Sequence, residues 1–221
     1  MHDGDKTVAV RAAGREWRLF RPSDLESLWE KMGAEDPGDD ERLPYWTELW
    51  PSSLGLAAWL ERRQADIAGR LCLDLGCGLG LTALAGQWLG ARMLAVDYEW
   101  PAVCHAQRNS LENGVSGVVW LHMDWRKPAV RPASFSRIWG ADIMYEARFA
   151  SPIADFLLYA LAPGGLAWVA EPGRSVYQGL VEAALRRGLA CRRAYSLRVS
   201  EILANPVPVD VAVWEMQKPG G

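Results

Sequence analysis

From residue 70 onward, short apolar runs alternate with segments of helix length, and few folds tolerate that rhythm. RLCLDLG, RMLAVD, VVWLHMD, SRIWGADIMY and LAWVAEP are joined in turn by LTALAGQWLG, WPAVCHAQRNSLENG, a loop over 125–134, and SPIADFLLYALAPGG; VYQGLVEAALRRG follows the last run. A strand buried on both faces reads as an unbroken apolar run, and parallel neighbours need a crossover, usually a helix. The pattern predicts an α/β fold with a doubly wound, mostly parallel sheet. The end departs from it. ACRRAYSLRVS and DVAVWEMQ are both strand-like and only ILANPVP separates them, which predicts an antiparallel C-terminal hairpin and about seven strands.

The first part of the chain obeys different rules. TVAVRAAGREWRLF alternates apolar and polar residues about Ala13-Gly14, the mark of a short hairpin. Ser23 is placed to cap a short helix, LESLWEKM, and AEDPGDDER (34–42) reads as a solvated loop. Pro51 or the serines after it can start a helix on which Leu54, Ala57, Ala58 and Leu60 fall at helical spacing. With 221 residues, half of them hydrophobic, the chain can bury one large core. We expect an N-terminal extension (1–45) and one main domain (46–221).

Several function classes drop out on charge and composition. A formal net charge of -3 does not advertise the basic face that neutralising phosphates requires, so no nucleic-acid partner is expected. The arginines between Arg186 and Arg198 sit in a segment that alternates like a solvated edge strand. No run approaches the ~20 apolar residues of a spanning helix, and the N-terminus lacks the basic-then-apolar order of a signal peptide, so no membrane partner is expected. Cys72, Cys77, Cys104 and Cys191 show no CxxC spacing and read as reduced thiols of a cytoplasmic protein. His105 and His122 have no ligand spacing, and no metal site is expected. The tryptophans, 12 of them, fall singly and read as core or pocket walls.

The most informative stretch is Asp74-Leu75-Gly76-Cys77-Gly78-Leu79-Gly80, at a strand-to-helix turn. Glycines there let the backbone bend sharply and let a ligand approach closely. The dinucleotide fingerprint G-x-G-x-x-G would need glycine at Leu81, and no P-loop lysine follows. Asp74 also repels pyrophosphate and attracts a cation. Asp97 ends the next strand, where a carboxylate can accept hydrogen bonds from ribose hydroxyls. Asp124 ends the third, near the position of a nucleobase edge, with Trp125 beside it as a stacking face. Three acids at three successive strand ends suit a ligand with a ribose, a base and a positive charge but no phosphate, which describes S-adenosylmethionine.

DLGCGLG resembles motif I of class I S-adenosylmethionine-dependent methyltransferases, and AVDY resembles the acidic motif that follows it; the likeness spans residues 70–172. Two further segments resemble the seven-strand protein-lysine methyltransferases grouped as methyltransferase family 16. They are PYWTELWPSSLGLAAWL, before motif I, and Asp142-Ile143-Met144-Tyr145, matching (D/E)-x-x-(Y/F); MDWRKP is similar to that group's Asp-Trp element. The resemblance implies that Trp50 contacts the cofactor and that Asp74, Gly76, Gly78 and Gly80 form its methionine-side loop. It also implies that Asp97, with Tyr98 beside it, holds the ribose, that Asp124 and Trp125 flank the adenine, and that Asp142 and Tyr145 border the acceptor as the catalytic pair.

Methyl transfer from a sulfonium needs positioning, to about 3–3.5 Å, more than acid-base chemistry. A lysine acceptor must still lose a proton, at a cost of about 4–5 kcal/mol at pH 7. A carboxylate touching its ammonium opposes that loss. Asp142 is therefore expected to dock the acceptor or orient Tyr145, with the proton going to water; general base is the alternative. The leading expectation is an N-methyltransferase acting on a protein lysine. The alternatives are an N-methyltransferase of a small heterocycle or amine, and a binding module without turnover. Asn113 and Gly114 read as a helix stop, and Asn205-Pro206-Val207-Pro208 lies after the wrong strand and lacks the aromatic residue of the N-P-P-[YF] signature. Tyr45 and Trp46 fit either an acceptor channel or packing beneath the N-terminal extension.

Overall fold

Ala13 and Gly14 both adopt positive φ, 48° and 73°, the backbone of the two-residue turn that suits the right-handed twist of a hairpin. In the computed structural model, which describes residues 5–23, 44–200 and 207–220, this turn joins β1 (Asp5–Ala12) to β2 (Arg15–Pro22). The inward side chains of the hairpin, Val8, Trp17 and Leu19, are buried in the main core. The helix expected after Ser23 and the loop 34–42 lie outside the described residues.

Pro51 opens α1 (Pro51–Arg62) from an extended Trp50, as its missing N–H and fixed φ favour. One further turn, α2 (Gln64–Ile67), leads to β3 (Leu71–Leu75). Then follow α3 (Leu81–Trp88), β4 (Arg92–Asp97), α4 (Trp100–Glu112), β5 (Val119–His122) and β6 (Phe135–Ala141). The chain continues through α5 (Ala150–Ala160), β7 (Leu161–Glu171), α6 (Tyr177–Arg186), β8 (Ala190–Val199) and β9 (Val209–Gln217).

The seven-stranded sheet has the order β5-β4-β3-β6-β7-β9-β8. Its first five strands are parallel, and β9 inserts antiparallel between β7 and β8. This is the expected doubly wound sheet with its terminal hairpin. Burial follows strand position. β3 and β6 are buried along nearly their whole length, whereas the edge strands β5 and β8 are almost entirely exposed or half-buried. Apolar residues of α1, α3, α4 and the hairpin pack on one face, and those of α5 and α6 on the other. Fully buried residues such as Leu56, Leu60, Leu73 and Leu157 contribute about 1.5–3 kcal/mol each.

One boundary differs from expectation. The segment SPIADFLLYALAPGG stays helical only to Ala160, because Pro163 and the glycines after it cannot extend α5 and Leu161 instead pairs with Phe135.

The reversal of strand order between β3, β4 and β6 places the carboxyl ends of these strands around one crevice. In open α/β sheets, ligands bind there.

Candidate functional site

After β3 the chain turns through three glycines in the left-handed region, Gly76, Gly78 and Gly80, with φ of 68°, 50° and 91°. The amides of Gly76 and Cys77 donate to the Val96 carbonyl at 2.9 and 3.0 Å and lash the turn to β4. A Cβ on Gly80 would stand 3.0 Å from that of Ala106 and 3.2 Å from the Trp120 ring, so this glycine faces α4 and β5. On Gly78 the nearest atom would be the Trp46 carbonyl oxygen at 3.6 Å, which leaves the backbone open beneath that residue.

Two carboxylates hold the turn. Asp74 is wholly buried and accepts from the Thr82 hydroxyl at 2.6 Å, while its other oxygen has no hydrogen-bond partner among the described residues. Burial pushes its pKa up to about 7 against the opposing pull of Thr82. Asp97 reaches across from β4: Oδ2 accepts from the Gly78 amide at 2.8 Å and Oδ1 from the Glu99 amide at 2.9 Å. Burial raises its pKa as well, with the backbone amides opposing. The Tyr98 amide bonds the same carboxylate, and of its four acceptor positions Asp97 keeps capacity for a further donor.

A cleft opens over this turn, with about 1140 Å³ of free space including its mouth. Trp50, Gly76, Gly78, Asp97, Tyr98, Asp124, Trp125, Asp142 and Tyr145 all line it. Asp74 and Gly80 lie behind the turn they shape. Asp124 accepts from the Arg126 amide at 2.8 Å and pairs both oxygens with the Arg126 guanidinium at 3.0 Å. Trp125 is buried, edge-on to Phe149 with centroids 5.7 Å apart.

The far end of the cleft is aromatic. Tyr145 packs on Tyr45 at 4.5 Å and on Phe149 at 5.0 Å, and the Trp50 indole N–H donates to the Tyr45 carbonyl at 2.8 Å. Tyr45 and Trp46 are therefore both cleft walls, with Trp46 also stacked 5.0 Å from the His105 ring. Asp142 lines the same cleft. It is buried, holds a positive φ of 56°, and its carboxylate meets Arg174 at 3.0 and 3.4 Å. The Arg174 guanidinium stands 5.4 Å above the Trp50 ring.

Arg174 and Tyr45 thus complete a group that the sequence motifs leave half drawn. The signal available for Arg174 is Glu171-Pro172-Gly173-Arg174 just past an apolar strand, and sequence alone does not say which neighbour it meets. His105 and His122 are structural: their ring nitrogens meet the carbonyls of Pro101 and Tyr98 at 3.0 and 2.7 Å. No group of side chains able to hold a metal ion occurs among the described residues.

The lining answers which ligand fits. It carries six carboxylates, Glu48, Asp97, Glu99, Asp124, Asp142 and Glu146, and four of them pair with guanidiniums, those of Arg21, Arg126, Arg174 and Arg148, which leaves the wall with an acidic excess at Asp97 and Glu99. Such a wall disfavours a pyrophosphate and favours a cation. The bare turn at Gly78, the spare acceptor capacity on Asp97 and the Trp125 ring add a close backbone approach, hydroxyl recognition and an aromatic wall. These features fit S-adenosylmethionine.

Comparison with known proteins agrees. The family model for ribosomal protein L11 methyltransferase (PrmA) matches residues 53–180. The ribosomal protein L11 methyltransferase of Edwardsiella ictaluri is 32% identical over 121 residues, covering 54% of this chain and 36% of that protein. The electron transfer flavoprotein beta subunit lysine methyltransferase of Mus musculus is 29% identical over 164 residues, covering 75% of this chain and 62% of that protein. Among solved structures, the T. thermophilus 16S rRNA N2 G1207 methyltransferase (RsmC), in complex with AdoMet and guanosine, superposes with a TM-score of 0.65 at 20% identity. That match covers 98% of this chain and 51% of that one, and at this identity it speaks for the fold. The chain spans about a third of the length of the first relative and less than two thirds of the second. It belongs to the ribosomal protein L11 methyltransferase (PrmA) family and carries a class I S-adenosylmethionine-dependent methyltransferase domain of that type.

Proposed function

We propose that this protein methylates the side-chain amine of a lysine in a protein substrate. The observation that carries the reading is that Tyr45, Tyr145 and Phe149, packed ring to ring, line the same cleft as a carboxylate, Asp142, that is already paired with Arg174; we read the rings as a corridor toward that carboxylate. Such a corridor takes an aliphatic stem, strips water from its amine and so favours the neutral, nucleophilic form. A bare carboxylate at its end would do the reverse. The relatives, one a ribosomal protein L11 methyltransferase and one an electron transfer flavoprotein beta subunit lysine methyltransferase, support a protein acceptor.

In this reading Asp97 binds the ribose hydroxyls through its spare acceptor capacity, with Tyr98 beside it. Asp124 and Trp125 bound the adenine. Gly76, Gly78 and Trp50 enclose the methionine end, and Asp74 and Gly80 hold the turn in shape from behind. When bound, S-adenosylmethionine supplies a methyl group activated by its own sulfonium charge. Asp142 and Tyr145 border the acceptor, whose ammonium proton passes to water. The extension (1–45) reaches the cleft through Arg21, which pairs with Glu48 on its rim. All four cysteines are unpaired, which suits a reducing cytoplasm. No helix among the described residues is long and apolar enough to cross a membrane.

The test is incubation of the full chain with methyl-labelled cofactor and a cell extract, followed by separation by mass and peptide mass spectrometry. Label on lysine in a polypeptide is the expected result. Label confined to the low-mass fraction overturns it in favour of a small heterocycle or amine, for which the aromatic walls also offer stacking faces. No S-adenosylhomocysteine in any extract favours a module that binds without turnover.

A further inference from the structure

Parallel strands β6 and β7 lie side by side, with Ala141 opposite Ala170, and the residue after each register pair is an acid: Asp142 and Glu171. Both are buried. Two carboxylates in one dry corner repel each other and need compensating donors or charge. The Arg174 guanidinium pairs with Asp142, and the backbone amide of the same residue serves Glu171. Glu171 accepts from the backbone amides of Gly173 and Arg174, the latter at 3.1 Å, and its other oxygen accepts from the Trp214 indole at 3.3 Å. Glu171 therefore folds the turn that aims the Arg174 guanidinium at Asp142 and over Trp50.

We infer that Arg174, aimed by Glu171, is a positioning residue that neutralises Asp142 so that the amine at the end of the aromatic corridor binds uncharged. The inference deepens the lysine reading and rests on it for the identity of the amine. The groups facing the Asp142 carboxylate are Arg174 and Glu171 from the end of β7 and its following turn, and Ser52 from α1. Burial raises the Asp142 pKa while Arg174 pulls it down, and Glu171 adds to the rise. With Arg174 in place, the pair presents little net charge to the corridor. Without it, an ionised Asp142 would hold an alkylammonium in its charged form.

The test uses n-butylamine, a lysine side chain without a backbone, titrated into the full chain at pH 7 and followed at the Trp50 indole resonance. Arg174→Gln is expected to bind the butylammonium about tenfold more tightly than wild type, the scale of an opposite charge at contact. Arg174→Lys should stay near wild type, and Asp142→Asn/Arg174→Gln should lose the gain. Equal binding by Arg174→Gln and wild type overturns the inference, as does a gain that survives in the double variant. Asp142→Asn alone, which leaves the guanidinium unopposed, serves if Arg174→Gln does not fold: it is expected to bind the probe severalfold more weakly than wild type, and unchanged binding counts against the inference. In turnover, Arg174→Gln should lower KM for the acceptor, lower kcat about tenfold at pH 7 and move the acid limb of the kcat profile up by about one pH unit. Lysine labelling by wild type with an unshifted Arg174→Gln profile sinks this inference alone. Absence of lysine labelling with the butylamine order intact sinks the lysine reading alone.

Discussion

Asn113 grips Arg18 as a neighbouring strand would: its Oδ1 accepts from the Arg18 amide at 2.9 Å and its Nδ2 donates to the Arg18 carbonyl at 2.8 Å. One helical turn earlier, Asn109 repeats the arrangement on Phe20, at 2.7 and 3.2 Å, and also donates to the Leu79 carbonyl at 2.9 Å. Two asparagines at i and i+4, one on α4 and one capping it, thus present a short ladder to β2. Because Leu79 belongs to the glycine turn, Asn109 couples the hairpin to the candidate site.

Asn109→Ala should cost about 1–3 kcal/mol, since it leaves buried backbone groups unpaired. Asn113→Ala, nearer the surface, should cost less. Urea denaturation gives both values, and native-state hydrogen exchange should show the Phe20 amide losing protection. If Asn109→Ala proves as stable as wild type, the ladder is not what holds the hairpin.

Asn113 is the helix stop that the sequence reads, with Gly114 after it at a φ of 63°, but its bonds to Arg18, 95 residues away, leave no local signal. That separation is the general limit here. The central strands are legible since burial on both faces makes β3 and β6 continuous apolar runs, and the glycine turn is legible since its chemistry is local. Asp142 and Tyr145 are singled out by motif, and both line the cleft. Arg174, by contrast, meets Asp142 only after the sheet order sets β7 beside β6, and no periodicity within EPGR announces it. The corridor likewise joins Tyr45 to Tyr145 across a hundred residues of chain.

The glycines of the turn should separate into two kinds on substitution. Gly80→Ala forces a Cβ against Ala106 at 3.0 Å in addition to its positive φ, and should destabilise by about 2–4 kcal/mol. Gly78→Ala meets no close atom, so its cost should be the backbone alone, about 1–2 kcal/mol. Its added methyl should nevertheless weaken S-adenosylhomocysteine binding in calorimetry, whereas folded Gly80→Ala should bind it near normally. The opposite order would place the cofactor elsewhere.

Asp74 makes stability depend on pH in an unusual direction. Its folded pKa, about 7, lies above the ordinary 3.8, so between those values the folded state keeps a proton that the unfolded state has lost. The unfolded chain then binds fewer protons, and stability falls as pH rises through this window, by up to about 1.4 kcal/mol per pH unit from this group. Burial shifts Asp97 and Asp142 in the same direction. Denaturation midpoints from pH 5 to 8 should therefore decline more steeply in wild type than in Asp74→Asn. Parallel curves would show that Asp74 does not carry the effect.

Tyr145 lines the cleft, and its phenol is no base. Burial raises its pKa, and the carboxylates of Asp97, Glu146 and Glu99 push the same way, so the phenol keeps its proton throughout the physiological range. A group that stays protonated cannot take the acceptor's proton. Tyr145→Phe should then retain the pH profile of kcat/KM between pH 6 and 9, with any loss in rate uniform across it. Tyr145→Ala removes ring contacts with Tyr45 and Phe149, each worth about 0.5–1.5 kcal/mol, and should raise KM for the acceptor about tenfold. A limb of the profile that vanishes in Tyr145→Phe would instead make the phenol a proton carrier, and the corridor would then do more than hold and desolvate the amine.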